Sequence, residues 1–225
     1  MPNWTENCMA VSAADLVTLL NAEGNLDFNL VRPRPAELDI TAGGLQRRAI
    51  EAAEARRRGD AKALAQAAED ARLPATNGGH GEDMCETADD LADLGEKYLR
   101  NVERYGHMTW YDWSCENWGT KWNACDTCVE RYGRYAVVSF MTAWSEPNHE
   151  MLSELAQMCS MPVWYEYAYE DFEGIHAIRF DNDGMSEEQP SCFLLDAEPL
   201  NDEYPDVLCA VGGVYDEAAI ARHLQ

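Results

Sequence analysis

Apolar residues in the middle of the chain recur at the spacing of an amphipathic helix. Intervals of three and four residues place one apolar stripe along a helix, and these intervals separate Leu91, Leu94, Tyr98, Val102 and Tyr105. Thr87 precedes the stripe, and Asp90 three residues later completes a capping box. Gly106 is well suited to end the helix. The pattern therefore predicts one long helix that ends near Gly106.

A second helical region precedes this helix. Residues 45–73 are rich in Ala, Arg, Glu and Gln, which are strong helix formers. Gly59 interrupts this composition, and Asp60 directly after it is a favourable first residue for a new helix. The sequence therefore predicts a helical hairpin.

Outside this helical region, the pattern indicates strands and shorter helices. Residues 4–11 favour a strand and residues 13–22 a helix. Two further strands are expected, joined by a loop that carries Cys125 and Cys128, and a helix is expected to begin near Ser145. A strand, its hairpin partner and a terminal helix follow. The bounds predicted for the later strands and the last helix are 119–124, 134–144, 163–169, 175–180 and 216–224.

The order of these elements predicts the fold class. A β-α-β-β-α-β order is that of the ferredoxin-like split βαβ fold. We therefore expect an α+β protein with one antiparallel sheet, helices on one face and an open second face suited to binding. Residues 1–31 and 105–184 would form the ferredoxin-like domain, residues 32–104 a helical insertion, and residues 185–225 an acidic C-terminal extension.

Net charge is the most unusual property of the chain. Its 17 Lys and Arg are outnumbered by 41 Asp and Glu, which gives a formal net charge of −24. From residue 144 onward, only Arg179 and Arg222 are basic. Direct binding to DNA or RNA is not expected, because proteins bind phosphate backbones through Lys and Arg. Two interpretations stay open: the charge keeps the protein soluble, or it imitates a nucleic acid and docks on a basic partner.

The sequence also bears on the cellular compartment. No apolar run approaches the roughly 18–20 residues that cross a bilayer. The first residues have neither the basic nor the apolar segment of a signal peptide. We expect a cytoplasmic protein with no membrane contact, whose eight cysteines are mostly reduced thiols.

Aromatic residues are concentrated in one short segment, at Trp110, Tyr111, Trp113, Trp118 and Trp122. Such large side chains most often build a core. Polar residues alternate with them here, which is also the composition of a ligand pocket or an interaction hot spot. Both interpretations stay open. The candidate binding residues of this segment are Trp113, Glu116, Asn117, Trp118 and Lys121.

Signals of catalysis or metal binding are weak. Cys125 and Cys128 have the spacing of half a zinc site, but no second pair has this spacing. Zinc is therefore a secondary alternative to reduced thiols. The five histidines are scattered, and the chain contains neither a nucleophile elbow nor a phosphate-binding glycine loop. We expect a non-enzymatic protein with no catalytic residues and no cofactor.

Three segments resemble a known family. They are residues 1–7, residues 111–122 with the string Asn-Trp-Gly-Thr-Lys-Trp, and residues 142–147 with Trp144 and Pro147. Together they resemble the YubB-type ferredoxin-like family, whose members occur on bacterial plasmids and in phages and which has no established activity. The resemblance implies a ferredoxin-like fold and an origin in a mobile genetic element. It does not extend to residues 45–90 or to the chain after Gly184.

The charge and the resemblance together predict a phage or plasmid accessory protein. In this hypothesis, its carboxylates take the place of phosphates and bind a host nucleic-acid-binding protein or complex, such as a CRISPR or restriction effector. The carboxylates expected to make this contact are Glu166, Glu170, Asp171, Glu173, Asp181, Asp183, Glu187 and Glu188. The alternative is a regulatory module that binds a small ligand or zinc beside the aromatic segment.

Overall fold

The computed structural model describes residues 3–71, 85, 87–201 and 204–224. The chain divides into two compact units. The first, here called the sheet unit, comprises Met1–Pro33 and Ser114–Gln225, and the second, the helical unit, comprises Arg34–Trp113. The helical unit is thus longer than the predicted insertion. Residues 185–225, predicted as an extension, belong to the sheet unit.

Eight strands belong to the sheet unit as described: β1 (Trp4–Ser12), β2 (Cys125–Tyr132), β3 (Tyr135–Ala143), β4 (Val163–Tyr169), β5 (His176–Phe180), β6 (Ser186–Gln189), β7 (Leu195–Asn201) and β8 (Tyr204–Gly212). The first six form one sheet in the order β2-β3-β1-β4-β5-β6, and β7 and β8 form a separate ribbon. Neighbouring strands in both are antiparallel. The prediction of an α+β fold with a mainly antiparallel sheet is confirmed. The order β2-β3-β1-β4 is compatible with the ferredoxin-like layout, which stays a prediction.

The helices in chain order are α1 (Leu16–Leu19), α2 (Gln46–Arg58), α3 (Ala61–Ala71), α4 (Ala88–Tyr105), α5 (Trp110–Asn117), α6 (His149–Met158) and α7 (Glu217–Leu224). None of the described helices has the length and apolar character needed to cross a bilayer.

The helical unit follows its local sequence signals closely. The Thr87 hydroxyl accepts a hydrogen bond from Asp90 N, and the Asp90 carboxylate accepts one from Thr87 N, which is the predicted capping box. Gly106 ends α4 in the left-handed conformation. Gly95 lets α2 approach α4 closely, because a Cβ at this position would lie 1.9 Å from the carbonyl oxygen of Ala49. The predicted hairpin and long helix are therefore present.

Helices pack against both faces of the six-stranded sheet. The prediction of helices on one face is therefore correct for that face, and the prediction of an open second face is wrong. On one face, the ring of Phe180 contacts that of His149 in α6 at 5.9 Å. On the other face, Ile220 and Leu224 of α7 share a buried cluster with Cys8 of β1. A helix was predicted at residues 216–224, but the face of the sheet that α7 covers depends on contacts between residues about 200 positions apart.

The predicted and observed bounds of the elements differ most in the stretch between the aromatic segment and β2. Residues 119–124 are not a strand, because the backbone turns after α5, and Gly119 has a φ of +82°. Cys125 and Cys128, expected in a loop, lie in β2 itself, on either side of a register shift against β3. Helix α1 is also shorter than predicted.

A candidate binding cleft

The aromatic segment is largely internal. The side chains of Trp113 and Trp118 are only 7% and 1% exposed. The indole N–H of Trp118 donates to the carbonyl oxygen of Arg32 at 3.0 Å, and its ring packs edge-on against Phe28. Burial leaves no ring face of Trp113 or Trp118 open to a partner, so these two predicted binding residues have the role of core residues.

The backbone of the same segment holds α6 in place. The Asn148 side chain donates to the carbonyl oxygens of Glu116 and Asn117, at 3.1 Å in each case. Arg32 also donates to the carbonyl oxygen of Asn117, and its guanidinium pairs with Glu154 of α6. Glu116 and Asn117, both predicted to bind a partner, thus contribute through their backbones to the start of α6.

Glu166 is a buried structural carboxylate. Its residue is 0% exposed, and four N–H groups donate to its two oxygens. They belong to the Trp164 indole and to the backbones of Phe193, Leu194 and Leu195, at 2.7–2.9 Å. Glu166 therefore ties the chain before β7 to the sheet, and its burial is incompatible with the predicted contact to a partner.

Cys125 and Cys128 belong to no metal-binding group of described residues. Among the described residues, no group of three or more His, Cys, Asp or Glu is arranged to hold a metal ion. Burial and, secondarily, the charge of Asp126 raise the pKa of Cys125, which favours its neutral thiol over the thiolate that zinc requires. Burial likewise raises the pKa of Cys8 and Cys159 to about 12.

A cleft of about 250 Å³ lies where β1 begins and β3 and β4 end. Strand pairing brings these three ends together, because Trp4 pairs with Ala143 and Thr5 with Tyr169. The cleft is lined by Asn3, Trp4, Trp144, Tyr169, Glu170, Asp171 and Glu173. Three predicted carboxylates therefore meet two tryptophans that were not predicted as binding residues. The sequence nevertheless contained a signal that singled out Trp4 and Trp144, since both belong to the segments that carry the family resemblance.

Backbone and side-chain hydrogen bonds define the walls of the cleft. Trp144 N donates to the carbonyl oxygen of Asn3 at 2.8 Å, and Trp4 N donates to the Glu170 carboxylate at 3.0 Å. The Tyr169 hydroxyl donates to Glu146 at 2.6 Å. Burial and the nearby Glu146 carboxylate raise the pKa of Tyr169, so its hydroxyl stays a donor at neutral pH.

A cation and a further aromatic ring lie next to the two tryptophans of the cleft. The ammonium of Lys121, a predicted binding residue, lies 4.5 Å from the Trp122 ring centroid and 4.8 Å from that of Trp144. Trp122 in turn lies 6.0 Å from Trp4. Trp144 is 44% exposed and has a φ of +80°, a strained conformation for a bulky residue.

The other predicted carboxylates are not among the residues that line the cleft. Asp181 pairs with Arg179 at 3.1 Å, and Asp183 accepts a hydrogen bond from Met185 N in the turn before β6. Glu187 and Glu188 are exposed on β6, the last strand of the sheet. The predicted acidic set therefore separates into the buried Glu166, the three cleft residues and a group around β6.

The fold and the site together define an α+β protein with a six-stranded antiparallel sheet and an acidic, aromatic cleft at the ends of three strands. Comparison of the sequence with models of known families and with characterised proteins gives no match. Among solved structures, the chain is similar to a protein api92 from Yersinia pseudotuberculosis of the family model DUF1281, with 10% identity and a TM-score of 0.40. The similarity covers 85% of this chain and 99% of that chain.

Proposed function

We propose that the protein is a non-enzymatic phage or plasmid accessory protein of the bacterial cytoplasm. In this proposal it acts as an acidic inhibitor that binds a host nucleic-acid-binding protein or complex, such as a CRISPR or restriction effector. Its carboxylates occupy positions that phosphates take in the natural ligand of the partner. It does not bind nucleic acid directly, because like charges repel.

The concentration of charge in one unit is the observation that supports this proposal. The sheet unit contains six Lys and Arg against 25 Asp and Glu, a formal net charge of −19, and the helical unit contains 11 against 16, a net charge of −5. In the helical unit, arginines pair with carboxylates, as Arg57 does with Glu96. A basic partner is therefore attracted mainly to the sheet unit.

The exposed carboxylates of the sheet unit include most of the predicted contact residues. Glu170, Asp171 and Glu173 are exposed around the cleft, and Glu187 and Glu188 are exposed on β6. Exposed carboxylates can pair with Lys and Arg of a partner without first leaving a buried network, as Glu166 would have to do. These five residues are the part of the surface that a test can change without disturbing the core.

Affinity purification from a bacterial lysate tests the proposal. At low salt, the tagged protein should retain a nucleic-acid-binding protein that mass spectrometry identifies, and raised NaCl should release it, because salt screens the charges. Addition of DNA should displace the partner from the protein. Recovery of no nucleic-acid-binding protein, or binding that is indifferent to salt, would contradict the proposal.

A matched pair of variants connects the binding to the sheet unit. The first variant changes five exposed carboxylates of the sheet unit to amides, at Glu170, Asp171, Glu173, Glu187 and Glu188. The control changes five exposed carboxylates of the helical unit, at Glu51, Glu54, Glu69, Glu103 and Asp112. Both lose the same charge, so only the first should lose the partner if the sheet unit carries the contact.

A further inference from the structure

We propose that the cleft at the start of β1 binds the side chain of an arginine, supplied by the basic partner. The identity of the partner rests on the proposed function, whereas the preference of the cleft for a guanidinium group rests on its own geometry.

The size of the cleft favours one side chain over a larger ligand. Sites for small molecules and cofactors usually enclose about 300–1,000 Å³. The volume here is about 250 Å³, and the cleft is partly open to solvent. A single extended side chain fits this volume, while the rest of the partner stays outside.

The lining selects for positive charge. Glu170, Asp171 and Glu173 come from one short segment after β4 and line one part of the cleft. Their charges oppose phosphates and carboxylates as ligands. They are not grouped as metal ligands, since no described set of three such side chains has that arrangement. Carboxylates that line a cleft without converging on one point suit an extended organic cation better than a metal ion.

The aromatic residues distinguish arginine from other cations. Trp4, Trp144 and Tyr169 also line the cleft. Cations are attracted to indole rings at distances up to about 6 Å, as the ammonium of Lys121 is at 4.8 Å from the Trp144 ring. The three carboxylates of the lining outweigh this one positive charge, so a second cation is still attracted. A guanidinium is planar and weakly hydrated, so it can stack on a ring while it donates two hydrogen bonds to a carboxylate. An ammonium is not planar, so it cannot stack on a ring and donate two parallel hydrogen bonds to a carboxylate at the same time.

The cleft is largely formed before a ligand arrives. Trp144 N donates to the backbone carbonyl oxygen of Asn3, and Trp4 N donates to the side-chain carboxylate of Glu170, so two walls are held by hydrogen bonds. The left-handed conformation of Trp144 is a strain that the surrounding contacts maintain. A preformed site binds its ligand at a smaller entropic cost.

The test uses the full chain labelled with ¹⁵N and short peptides of glycine and serine that carry one central residue. Peptides with arginine, lysine and citrulline are titrated, and the indole N–H signals are followed by NMR. Citrulline is the neutral isostere of arginine. The arginine peptide should shift the signals of Trp4 and Trp144 and bind at least about tenfold more tightly than the citrulline peptide, as expected for the loss of charge-assisted hydrogen bonds. Equal binding of the arginine and citrulline peptides would overturn the proposal, as would shifts confined to other tryptophans.

Variants separate a specific site from general attraction. The double variant D171N/E173Q should weaken binding of the arginine peptide about tenfold. Its control, E23Q/D126N, removes one Glu and one Asp charge from exposed positions of the same unit and should leave the affinity within about twofold. Equal weakening by both double variants would mean that only net charge attracts the peptide, and the site would be rejected. W144G removes the ring while glycine accepts the left-handed backbone, and it should also weaken binding.

The outcomes for the cleft and for the proposed function differ. If the arginine peptide binds in the cleft but the lysate contains no nucleic-acid-binding partner, the cleft assignment stands and the proposed function fails. If the host partner is captured equally by the unchanged protein, D171N/E173Q and W144G, the function stands and the arginine site is rejected as its contact.

Discussion

Single residues of the same type have very different roles in this protein, and the two acids Glu166 and Glu170 illustrate this. Both were predicted to contact a partner, since both belong to the acidic part of the sequence. Glu166 points to a covered face of the sheet and receives four N–H donors, whereas Glu170 is exposed after the end of β4. Side-chain chemistry was readable from the sequence, but burial was not, because it depends on what covers each face of the sheet.

Replacement of Glu166 by glutamine should destabilise the protein strongly. The amide nitrogen would be placed against N–H donors, and the charge that orders the backbone of residues 193–195 would be lost. We expect the free energy of unfolding to fall by roughly 2–4 kcal/mol, as measured by urea denaturation. Glu170→Gln is the control and should change it by less than about 0.5 kcal/mol. A change of that small size for Glu166→Gln would contradict the structural role.

The charge of Glu6 should make stability fall as pH rises. Burial and, secondarily, the charge of Asp126 raise the pKa of Glu6 in the folded protein. The folded state therefore holds this proton to a higher pH than the unfolded state, so stability is lost between the unfolded pKa of about 4.3 and the raised folded pKa. Glu6→Gln should raise the melting temperature at pH 7 and have little effect at pH 4. Asp126→Asn should have a smaller effect of the same sign. If Glu6→Gln stabilised the protein as much at pH 4 as at pH 7, the effect would not come from the protonation of Glu6.

Helices and strands were predicted well where their signals are local. The ends of α4 follow from Thr87, Asp90 and Gly106 alone, and the strand predicted at residues 163–169 agrees with β4. The strand predicted at residues 119–124 is wrong, because Asn148 N donates to the carbonyl oxygen of Trp118 and holds a turn there. That contact joins residues 30 positions apart, so no window of local sequence contains it.

A pair of glycine variants should measure the close contact at this turn. A Cβ at Gly119 would lie 2.5 Å from Asn148 N, whereas Gly24, with a similar φ of +85°, has nothing within 4 Å. Gly24→Ala should therefore cost only the strain of the left-handed backbone, about 1–2 kcal/mol. Gly119→Ala adds a backbone clash and should cost at least about 1 kcal/mol more in chemical denaturation. Equal losses would show that the turn relaxes without cost.

At the scale of the whole molecule, the sequence predicted strong acidity but placed it in the C-terminal third. In the structure, most of the negative charge belongs to the sheet unit, which also includes the first 33 residues. This unit carries −19 of the total charge of −24. The predicted open sheet face is covered by α7, and the strand ends provide the cleft instead. The separation of the charge between units therefore depends on which distant segments fold together.

The net charge of the molecule should oppose folding, and salt should relieve this. Repulsion among the carboxylates of the sheet unit is stronger in the compact state than in the unfolded chain. An increase of NaCl from about 10 to 300 mM shortens the screening length to several ångströms and should raise the melting temperature in calorimetry. The variant with five amides in the sheet unit should start from a higher value and gain less. A melting temperature that falls with NaCl would show that attractive ion pairs outweigh the repulsion.

The sequence by itself determined the helical hairpin, the long helix α4, the extreme charge and the α+β class, because these depend on composition and on spacing within short windows. It also identified Glu170, Asp171 and Glu173 as candidates by their charge. Only the tertiary structure decided that these residues line a cleft with Trp4 and Trp144 and that Glu166 is buried. The physical reason is strand pairing: β1, β3 and β4 lie far apart in the chain, and the residues at their ends meet only when the sheet has formed.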